Sequence, residues 1–257
     1  MSINGASKTD IESNVLLTTE NLTKTFGSVQ AVSEVDFTVA RGEVHAIIGP
    51  NGAGKTTFFN LLTGAHSPTS GSITYESADI TDSSMDKRAR RGIVRVFQIT
   101  QIFDDLSIKE NLYLALQSQH QSLNLLKKPE KELFDEVIEM IERLRIDAPS
   151  NTAAENLSHG DKKKLEIGMA LITEPKLLLL DEPTSGMSQE DSQETMDFIN
   201  KNSHEIAVLL IEHDIEIVLE MANIITVLQE GSIIAEGLPG EIKNDERVRQ
   251  AYLGDFT

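Results

Sequence analysis

Cysteine is absent from this sequence of 257 residues. The chain can therefore form no disulfide bond, and it offers neither a thiolate ligand for a metal nor a thiol nucleophile. The lack of disulfides is compatible with a cytosolic location without proving one.

Basic residues are also scarce, with 23 lysines and arginines against 41 aspartates and glutamates and a formal net charge of -18. A surface that binds nucleic acid needs clustered positive charge, so this balance argues against nucleic acid as a partner. The excess of negative charge instead suits a soluble protein whose copies repel one another.

Long apolar runs are missing as well. No stretch approaches the roughly 20 apolar residues that cross a bilayer, and the polar stretch MSINGASKTDIESN contains no apolar run of the kind expected of a secretory signal. Any work at a membrane is therefore expected to go through a partner. We expect residues 1–14 to form a flexible tail, while the hydrophobic content of 39% suffices for a sizeable core.

What the sequence does contain is an alternation of strand-like and helix-like segments. VLLTTENLTKTF and AVSEVDFTVARGE alternate like half-buried strands, and VHAIIG, KLLLLDE and IAVLLIEHD are apolar runs typical of buried strands. From about residue 102 to 171 the spacing is helical, IITVLQEGSIIAEG predicts a hairpin, and PGEIKNDERVRQAYL predicts one closing helix. The pattern predicts an α/β core interrupted by a helical insert.

A phosphate-binding loop is the strongest local signal. GPNGAGKT, residues 49–56, matches G-x-x-x-x-G-K-[ST] in full, between a predicted strand and a predicted helix. In such a loop the backbone N–H groups cradle phosphates, the lysine reaches the β- and γ-phosphates, and the hydroxyl binds Mg²⁺. The alternative, a glycine-rich surface turn, is disfavoured by the flanking strand and helix. The predicted nucleotide-binding residues are Gly49, Pro50, Asn51, Gly52, Ala53, Gly54, Lys55, Thr56 and Thr57, with Thr56 also a metal ligand.

A second signal is the acidic end of the strand LLLLDE. Asp181 is expected at the carboxyl edge of the sheet, where α/β proteins bind ligands, and it can hold Mg²⁺ through water molecules. Glu182 follows it and is placed to orient or deprotonate an attacking water. The alternative is a charged turn after a strand, which would be favoured if the phosphate loop were absent.

A third segment, LSHGD at residues 157–161, completes a family resemblance. It differs in two letters from LSGGQ, and with the other two motifs it resembles the ATP-binding subunits of ABC transporters, from about Leu16 to Leu253. The resemblance implies a single ABC ATPase domain over residues 15–257. It implies a P-loop NTPase core with a mainly parallel sheet and flanking helices (15–100 and 172–257), an antiparallel β subdomain, and an inserted α-helical subdomain (about 101–171).

The resemblance also implies roles that the patterns alone leave open. Phe26 takes the position of the aromatic residue that stacks on adenine, although a core phenylalanine is the alternative. Gln98 takes the position of the glutamine that senses Mg²⁺ and the attacking water. His213 takes that of the histidine that contacts the γ-phosphate and positions Glu182, whereas a lone histidine after a strand usually has no such role.

LSHGD has a local meaning too. Ser158 and Asp161 fit a capping box, so the segment predicts a helix start whose N–H groups can face a phosphate. Ser158 and Gly160, the letters shared with LSGGQ, are the implied contacts to a nucleotide held by another subunit. Asp161 adds a carboxylate near phosphate, which the lysines at 162–164 are expected to offset. In the segment SGMS, residues 185–188, the family commonly has an aspartate at the last position, where this chain has Ser188.

The resemblance implies an ATPase that uses ATP and Mg²⁺ to energise transport. It is expected at the cytoplasmic face of the inner membrane, as a peripheral subunit paired with a second ABC ATPase. That pair is a homodimer or, as the resemblance favours, a heterodimer. The helical insert near Gln101–Phe103 is expected to dock on transmembrane permease subunits, with a substrate-binding protein as an indirect partner.

The expected cargo is a small polar solute taken up by the cell. GIVRVFQITQIF and LEIGMALITEPKLLLLDEPTSGM resemble branched-chain amino-acid importers, and LSHG followed by LEIGM resembles their urea-uptake branch. Three alternatives stay open: an exporter or lipid-transport ATPase, a soluble ABC ATPase acting on nucleic acid or the ribosome, and a catalytically dead regulatory subunit. One set of motifs and the acidic balance disfavour the second, and intact catalytic candidates disfavour the third.

Overall fold

A computed structural model describes residues 14–96, 101–122, 130–203 and 205–252. Gln98 and residues 1–13 of the expected tail lie outside these ranges. The described strands are β1 (Val15–Phe26), β2 (Val29–Ala40), β3 (Val44–Ile48), β4 (Ser70–Tyr75), β5 (Ala78–Asp79), β6 (Ile93–Val96), β7 (Leu177–Asp181), β8 (Ala207–Ile211), β9 (Ile224–Gln229) and β10 (Ser232–Gly237). The described α-helices are α1 (Lys55–Thr63), α2 (Met85–Ala89), α3 (Ile108–Ser122), α4 (Glu130–Leu144), α5 (His159–Leu171), α6 (Gln189–Asn202), α7 (Ile215–Met221), α8 (Pro239–Ile242) and α9 (Glu246–Tyr252).

The first part of the chain forms an antiparallel sheet in the strand order β2–β1–β4–β5. The long pairing of β1 with β2 begins with Val15 opposite Ala40. Residues on one face, such as Leu17 and Phe37, are buried and share a core cluster with Phe58 of α1. The alternating pattern of the sequence therefore reflects a sheet that packs against a helix on one side.

A mainly parallel sheet occupies the centre, in the order β10–β9–β3–β8–β7–β6. Only β10 of these strands runs antiparallel to its neighbour, β9. Every residue of β3, β7 and β8 is buried, because other layers cover both faces of the sheet, as their continuous apolar runs predicted. Parallel strands end at a common edge, so β3 leads into the phosphate loop near the point where β7 ends at Asp181.

Helices α3, α4 and α5 lie between β6 and β7, where the sequence predicted a helical insert. The buried residues of α4 are Leu133, Val137, Met140 and Leu144. They share one core cluster with residues of α5 and of the parallel sheet. The apolar stripe predicted from the spacing is thus the face that attaches this part of the chain to the sheet.

The end of the chain differs from the prediction, since two short helices, α8 and α9, replace one closing helix. Asp245 lies between them, and its carboxylate accepts a hydrogen bond from the backbone N–H of Arg247 at 2.8 Å. An aspartate in this position caps a new helix start, which explains the break.

Arg88 of α2 fixes the far end of α1. Its side chain is 1% exposed and donates five hydrogen bonds of 2.6–3.0 Å to backbone carbonyls. The accepting residues are Leu61, Leu62, Ile80, Thr81 and Ser83. The carbonyls at the end of α1, which have no partners within the helix, are thereby satisfied by a buried cation.

Candidate functional site

The loop between β3 and α1 is shaped by close backbone packing. Gly54 has a φ of 101°, and a Cβ on it would lie 2.3 Å from the carbonyl oxygen of Ala31. A Cβ on Gly49 would lie 2.1 Å from the carbonyl oxygen of Leu228. Both positions therefore require glycine. The loop is held directly before the N-terminus of α1, whose free N–H groups and dipole favour an anion.

Lys55, the first residue of α1, lies across this loop. Its Nζ donates to the carbonyl oxygens of Gly49 at 2.5 Å and Pro50 at 3.2 Å. Burial lowers the pKa of Lys55, and the negative charges of Glu182 and Asp181 oppose that shift. A buried cation within the electrostatic influence of two carboxylates is suited to receive a phosphate or to balance the charges of a metal site.

A side chain of the neighbouring strand β6 holds Asp181, the last residue of β7. Its Oδ2 lies 2.5 Å from Nη2 of Arg95 on β6, and Nη1 of Arg95 donates to Oδ1 of Asn60 at 2.6 Å. The guanidinium carbon lies 5.7 Å from the ring centre of Phe59. Arg95 thus connects the end of β7 to α1, the helix that follows the phosphate loop.

Glu182 has an unusual backbone conformation and a direct contact with His213. Its φ of 49° lies in the left-handed region, which residues with side chains seldom adopt. The backbone N–H donates to the carbonyl oxygen of Ile211 at 2.9 Å, and Oε1 lies 2.9 Å from Nε2 of His213. Strain that the surrounding structure maintains is common at functional sites. Glu182, predicted as the base, and His213, predicted to position it, are therefore in contact.

Behind this pair lies Glu212, a carboxylate that is 5% exposed. It accepts hydrogen bonds from Thr184 through N–H at 3.0 Å and Oγ1 at 2.7 Å, and from the N–H of His213 at 3.1 Å. Burial raises the pKa of Glu212, although these hydrogen bonds oppose the shift. Glu212 joins the segment that follows Glu182 to the segment that carries His213.

These elements enclose a cavity of about 210 Å³. Its lining consists of Ala31, Asn51, Gly52, Ala53, Gly54, Lys55, Thr56, Thr57, Glu182 and His213. Phe26, Ser158 and Gly160 are not among the described residues that line it. Phe26 is 44% exposed at the end of β1, and its ring meets that of His66 edge-on with centroids 5.4 Å apart.

The donor set at this edge of the sheet suits a hard cation. Thr56, whose side chain carries a hydroxyl, lines the cavity. Asp181 is not among the described residues that line it, but its charge acts on Lys55, which does. Hydroxyl and carboxylate oxygens, supplemented by water and phosphate, are the ligands that Mg²⁺ prefers in proteins. The residues present therefore fit a magnesium ion bound together with a nucleotide.

Helix α5 begins at the predicted place. Ser158 Oγ accepts a hydrogen bond from the N–H of Asp161 at 3.1 Å and donates to its carboxylate at 2.8 Å, which confirms the predicted helix cap. That the lysines at 162–164 offset the charge of Asp161 stays a prediction. These lysines form ion pairs with Asp104, Glu166 and Glu194.

Helix α6, like α5, starts with a serine that caps the helix. Ser188 Oγ accepts from the N–H of Asp191 at 3.2 Å and donates to its carboxylate at 2.7 Å. Asp191 also abuts the start of α5, because a Cβ on Gly160 would lie 3.2 Å from its Oδ1. The missing side chain at Gly160 lets the two helix starts lie side by side.

Comparison with known proteins assigns this arrangement to a family. The ABC transporter family model matches residues 32–185, which include the phosphate loop, LSHGD and the acidic strand end. The chain belongs to the ABC transporter family. It is an ATP-binding subunit of that family and an ATPase. A second match, described as branched-chain amino acid ATP-binding cassette transporter, covers residues 232–256.

Individual ABC relatives are similar over almost the whole chain. The high-affinity branched-chain amino acid transport ATP-binding protein LivG of Salmonella typhimurium is 38% identical, over 95% of this chain and 99% of its own length. BraF of Pseudomonas aeruginosa, named for the same transport, is 36% identical with the same coverage. The ADP conformation of MJ1267, an ATP-binding cassette of an ABC transporter, has a TM-score of 0.83 at 33% identity and covers 93% and 99% of the two chains. These likenesses confirm the predicted fold class.

Two residues of this ABC cassette were missed by the motif analysis. Arg95 is a charge within the apolar strand IVRV, and Glu212 is a charge directly after the buried strand AVLLI. Charged side chains are seldom fully buried unless they are paired. A charge that interrupts an apolar run is therefore the sequence signal that could have found both.

Proposed function

We propose that this chain is the ATP-hydrolysing subunit of an importer for branched-chain amino acids. The transport named for LivG and BraF, which match nearly the whole chain, supports this cargo. The match of residues 232–256 to a branched-chain cassette model supports it independently. The observation that carries hydrolysis is the 2.9 Å contact between Glu182 and His213 in the cavity of the phosphate loop.

The loop and the first turn of α1 would bind the nucleotide phosphates through backbone N–H groups and Lys55. Phe26, exposed at the end of β1, would stack on the adenine. Thr56 and Asp181 would hold Mg²⁺, which when bound neutralises charge on the phosphates. Gln98, outside the described residues, remains the predicted sensor of the metal and the attacking water.

For hydrolysis we assign Glu182 to the attacking water. Its carboxylate orients the water and accepts a proton, a function worth about 10²–10⁴ in rate. His213 holds Oε1 of Glu182 and so restricts the direction of the carboxylate. Positioning of the water relative to the γ-phosphate supplies the rest, since phosphoryl transfer needs little covalent chemistry from the protein.

We propose that two ATPase subunits complete each other's sites. Ser158 and Gly160 begin α5 but are not among the described residues that line this chain's own cavity. A helix start that presents N–H groups outside its own site is suited to a nucleotide held by a second subunit. The partner is a copy of this chain or a related ATPase, and a heterodimer is the expectation from resemblance.

Docking on transmembrane permease subunits is proposed for a separate groove of about 1020 Å³ between β6 and the helices α3 and α5. Phe103 and Leu114 line it and are 54% and 37% exposed, so apolar surface is available to a partner helix. In the described part of the chain no helix is both long and apolar enough to span a membrane. We place the protein at the cytoplasmic face of the membrane, with a substrate-binding protein as an indirect partner.

Replacement of Glu182 by glutamine tests the assignment. The variant should lose at least about 100-fold in ATP turnover and keep ATP binding, because only the base is removed. Binding of a fluorescent ATP analogue and phosphate release would be measured on the same preparations. Full hydrolysis by this variant would contradict the role of Glu182.

Cargo is tested separately by uptake in cells that lack the gene. Loss of labelled leucine uptake, restored by the wild type but not by Glu182→Gln, is the expected result. The likeness of LSHG to the urea-uptake branch makes urea the second substrate to assay. Loss of urea uptake with normal leucine uptake would replace the branched-chain proposal by the urea one.

A further inference from the structure

We propose that Arg95 is a positioning residue that holds the carboxylate of Asp181 in the orientation needed to bind Mg²⁺ with ATP. The inference rests on the proposed function, in which Asp181 is a metal-binding residue. Arg95 lies on β6, within the string GIVRVFQITQIF that resembles branched-chain amino-acid importers. The resemblance assigns it no role, so the role proposed here comes from its contacts.

The contacts of Arg95 use the fork of the guanidinium group. One terminal nitrogen, Nη2, lies 2.5 Å from Oδ2 of Asp181, and the other, Nη1, lies 2.6 Å from Oδ1 of Asn60. The side chains of Arg95 and Asp181 are only 7% and 9% exposed. A planar fork with two fixed acceptors determines the direction of both bonds, which a lysine ammonium cannot do. Asn60 therefore orients Arg95, and Arg95 orients Asp181.

Asp181 lies between two cations with different positions. Lys55 lines the nucleotide cavity and is affected by the charge of Asp181, whereas Arg95 approaches Asp181 from the neighbouring strand. Because Arg95 engages Oδ2, rotation of the carboxylate is restricted, and Oδ1 is the oxygen that this contact leaves for a metal. This arrangement has the form of a ligand carboxylate and its outer hydrogen-bond partner.

A purely structural role is a weaker explanation of this pair. Desolvation largely cancels the attraction within a buried ion pair, so such pairs add little net stability compared with apolar residues. Outer partners of metal ligands, in contrast, commonly change metal affinity by about 10–100-fold when they are removed. The position of the pair beside the phosphate-loop helix fits the second case.

The pairing itself is tested without nucleotide or metal. Arg95→Met leaves Asp181 as a buried charge without this partner and should lower the apparent Tm by about 6–15 °C. Adding Asp181→Asn to Arg95→Met should recover at least half of that loss. Arg143→Met, which removes an exposed arginine paired with Glu139, is the matched control and should change the Tm by less than about 2 °C. If the Tm losses caused by Arg95→Met and by Asp181→Asn simply add up in the double variant, the pairing is overturned.

The positioning role is tested by titrating Mg²⁺ into each protein with a fluorescent ATP analogue. Arg95→Met should raise the Mg²⁺ concentration for half-maximal binding by about 10–100-fold. Analogue binding without Mg²⁺ should change by less than about 3-fold, which a general loss of structure would not allow. Arg95→Lys, which keeps the charge without the fork, should retain most of the defect.

The possible outcomes separate the two proposals. A wild-type protein that binds the analogue without any response to Mg²⁺ would contradict the proposed function. A responsive wild type with an unchanged Mg²⁺ requirement in Arg95→Met would overturn the role of Arg95 alone. Full recovery by Arg95→Lys would also overturn it, because charge without orientation would then be enough.

Discussion

Replacement of Arg88 by methionine is expected to lower the free energy of unfolding by about 4 kcal/mol. Methionine has a similar length and fits an apolar environment, so the change removes the guanidinium while leaving most of its volume filled. The five backbone carbonyls around it, two of them at the end of α1, would lose the hydrogen bonds that Arg88 donates. Since α1 begins at Lys55, the affected helix is the one that carries the phosphate loop.

The magnitude follows from two opposing terms. Hydrogen bonds from a charged donor contribute about 1.5 kcal/mol each at the low end of their range, or about 7 kcal/mol for the five. Burial lowers the pKa of Arg88 well below its ordinary value, to about 10, which corresponds to a cost of about 3 kcal/mol for its charged form. The difference leaves about 4 kcal/mol in favour of the native arginine.

Urea unfolding followed by circular dichroism would measure this change, with the apparent Tm as a second observable. For a protein of this size about 4 kcal/mol corresponds to a decrease of about 8–16 °C. Arg90→Met is the control, because Arg90 is 51% exposed and its pair with Asp86 should contribute at most about 0.5 kcal/mol. A loss below about 1 kcal/mol in Arg88→Met would refute the reasoning.

Two further substitutions test the site. Glu212→Gln should reduce kcat for ATP about 10-fold with little change in KM, because the loops that carry Glu182 and His213 lose an acceptor. Burial raises the pKa of Glu212 above its ordinary 4.5, so the stability it contributes is present at low pH and is lost as the pH rises through the folded pKa. The stability of the parent relative to Glu212→Gln should therefore fall as the pH rises above 4.5 in urea titrations, and a constant difference would disprove this. Asp161→Gln should tighten ATP-driven dimerisation in sedimentation experiments, whereas unchanged association would locate Asp161 away from the phosphate.

Much of the fold could be predicted because burial leaves a direct trace in the sequence. Strands covered on both faces are mainly apolar, and β3, β7 and β8 show this in VHAIIG, KLLLLDE and IAVLLIEHD. The end of α1 was also predictable, because Gly64 takes the left-handed conformation with φ of 79° that closes a helix. The break between α8 and α9 could not be predicted, because it depends on whether Asp245 caps a new helix or continues the preceding one.

In the candidate site, too, local features could be predicted and contacts between distant residues could not. Residues that are neighbours in sequence, as in the phosphate loop, could be predicted because the loop's chemistry is local. Contacts such as Arg95 with Asp181 depend on which strands are adjacent, and only the order β8–β7–β6 brings them together. The same order explains the contact of Glu182 with His213, since these residues follow the adjacent strands β7 and β8.

The departure from the family pattern in SGMS has a physical explanation in the helix start that it forms beside the start of α5. A helix start needs a side-chain oxygen that accepts a backbone N–H three residues on, and both serine and aspartate provide one. Ser188 therefore performs the capping role available to the aspartate it replaces, and its partner Asp191 carries a carboxylate to the start of α5. Because Asp191 meets Gly160, the two segments form one packed unit, and a change in either is transmitted to the other. Where α5 and α6 begin side by side, the structure thus requires an oxygen acceptor at the N-cap of α6 and a residue without a side chain at Gly160. The chain has both.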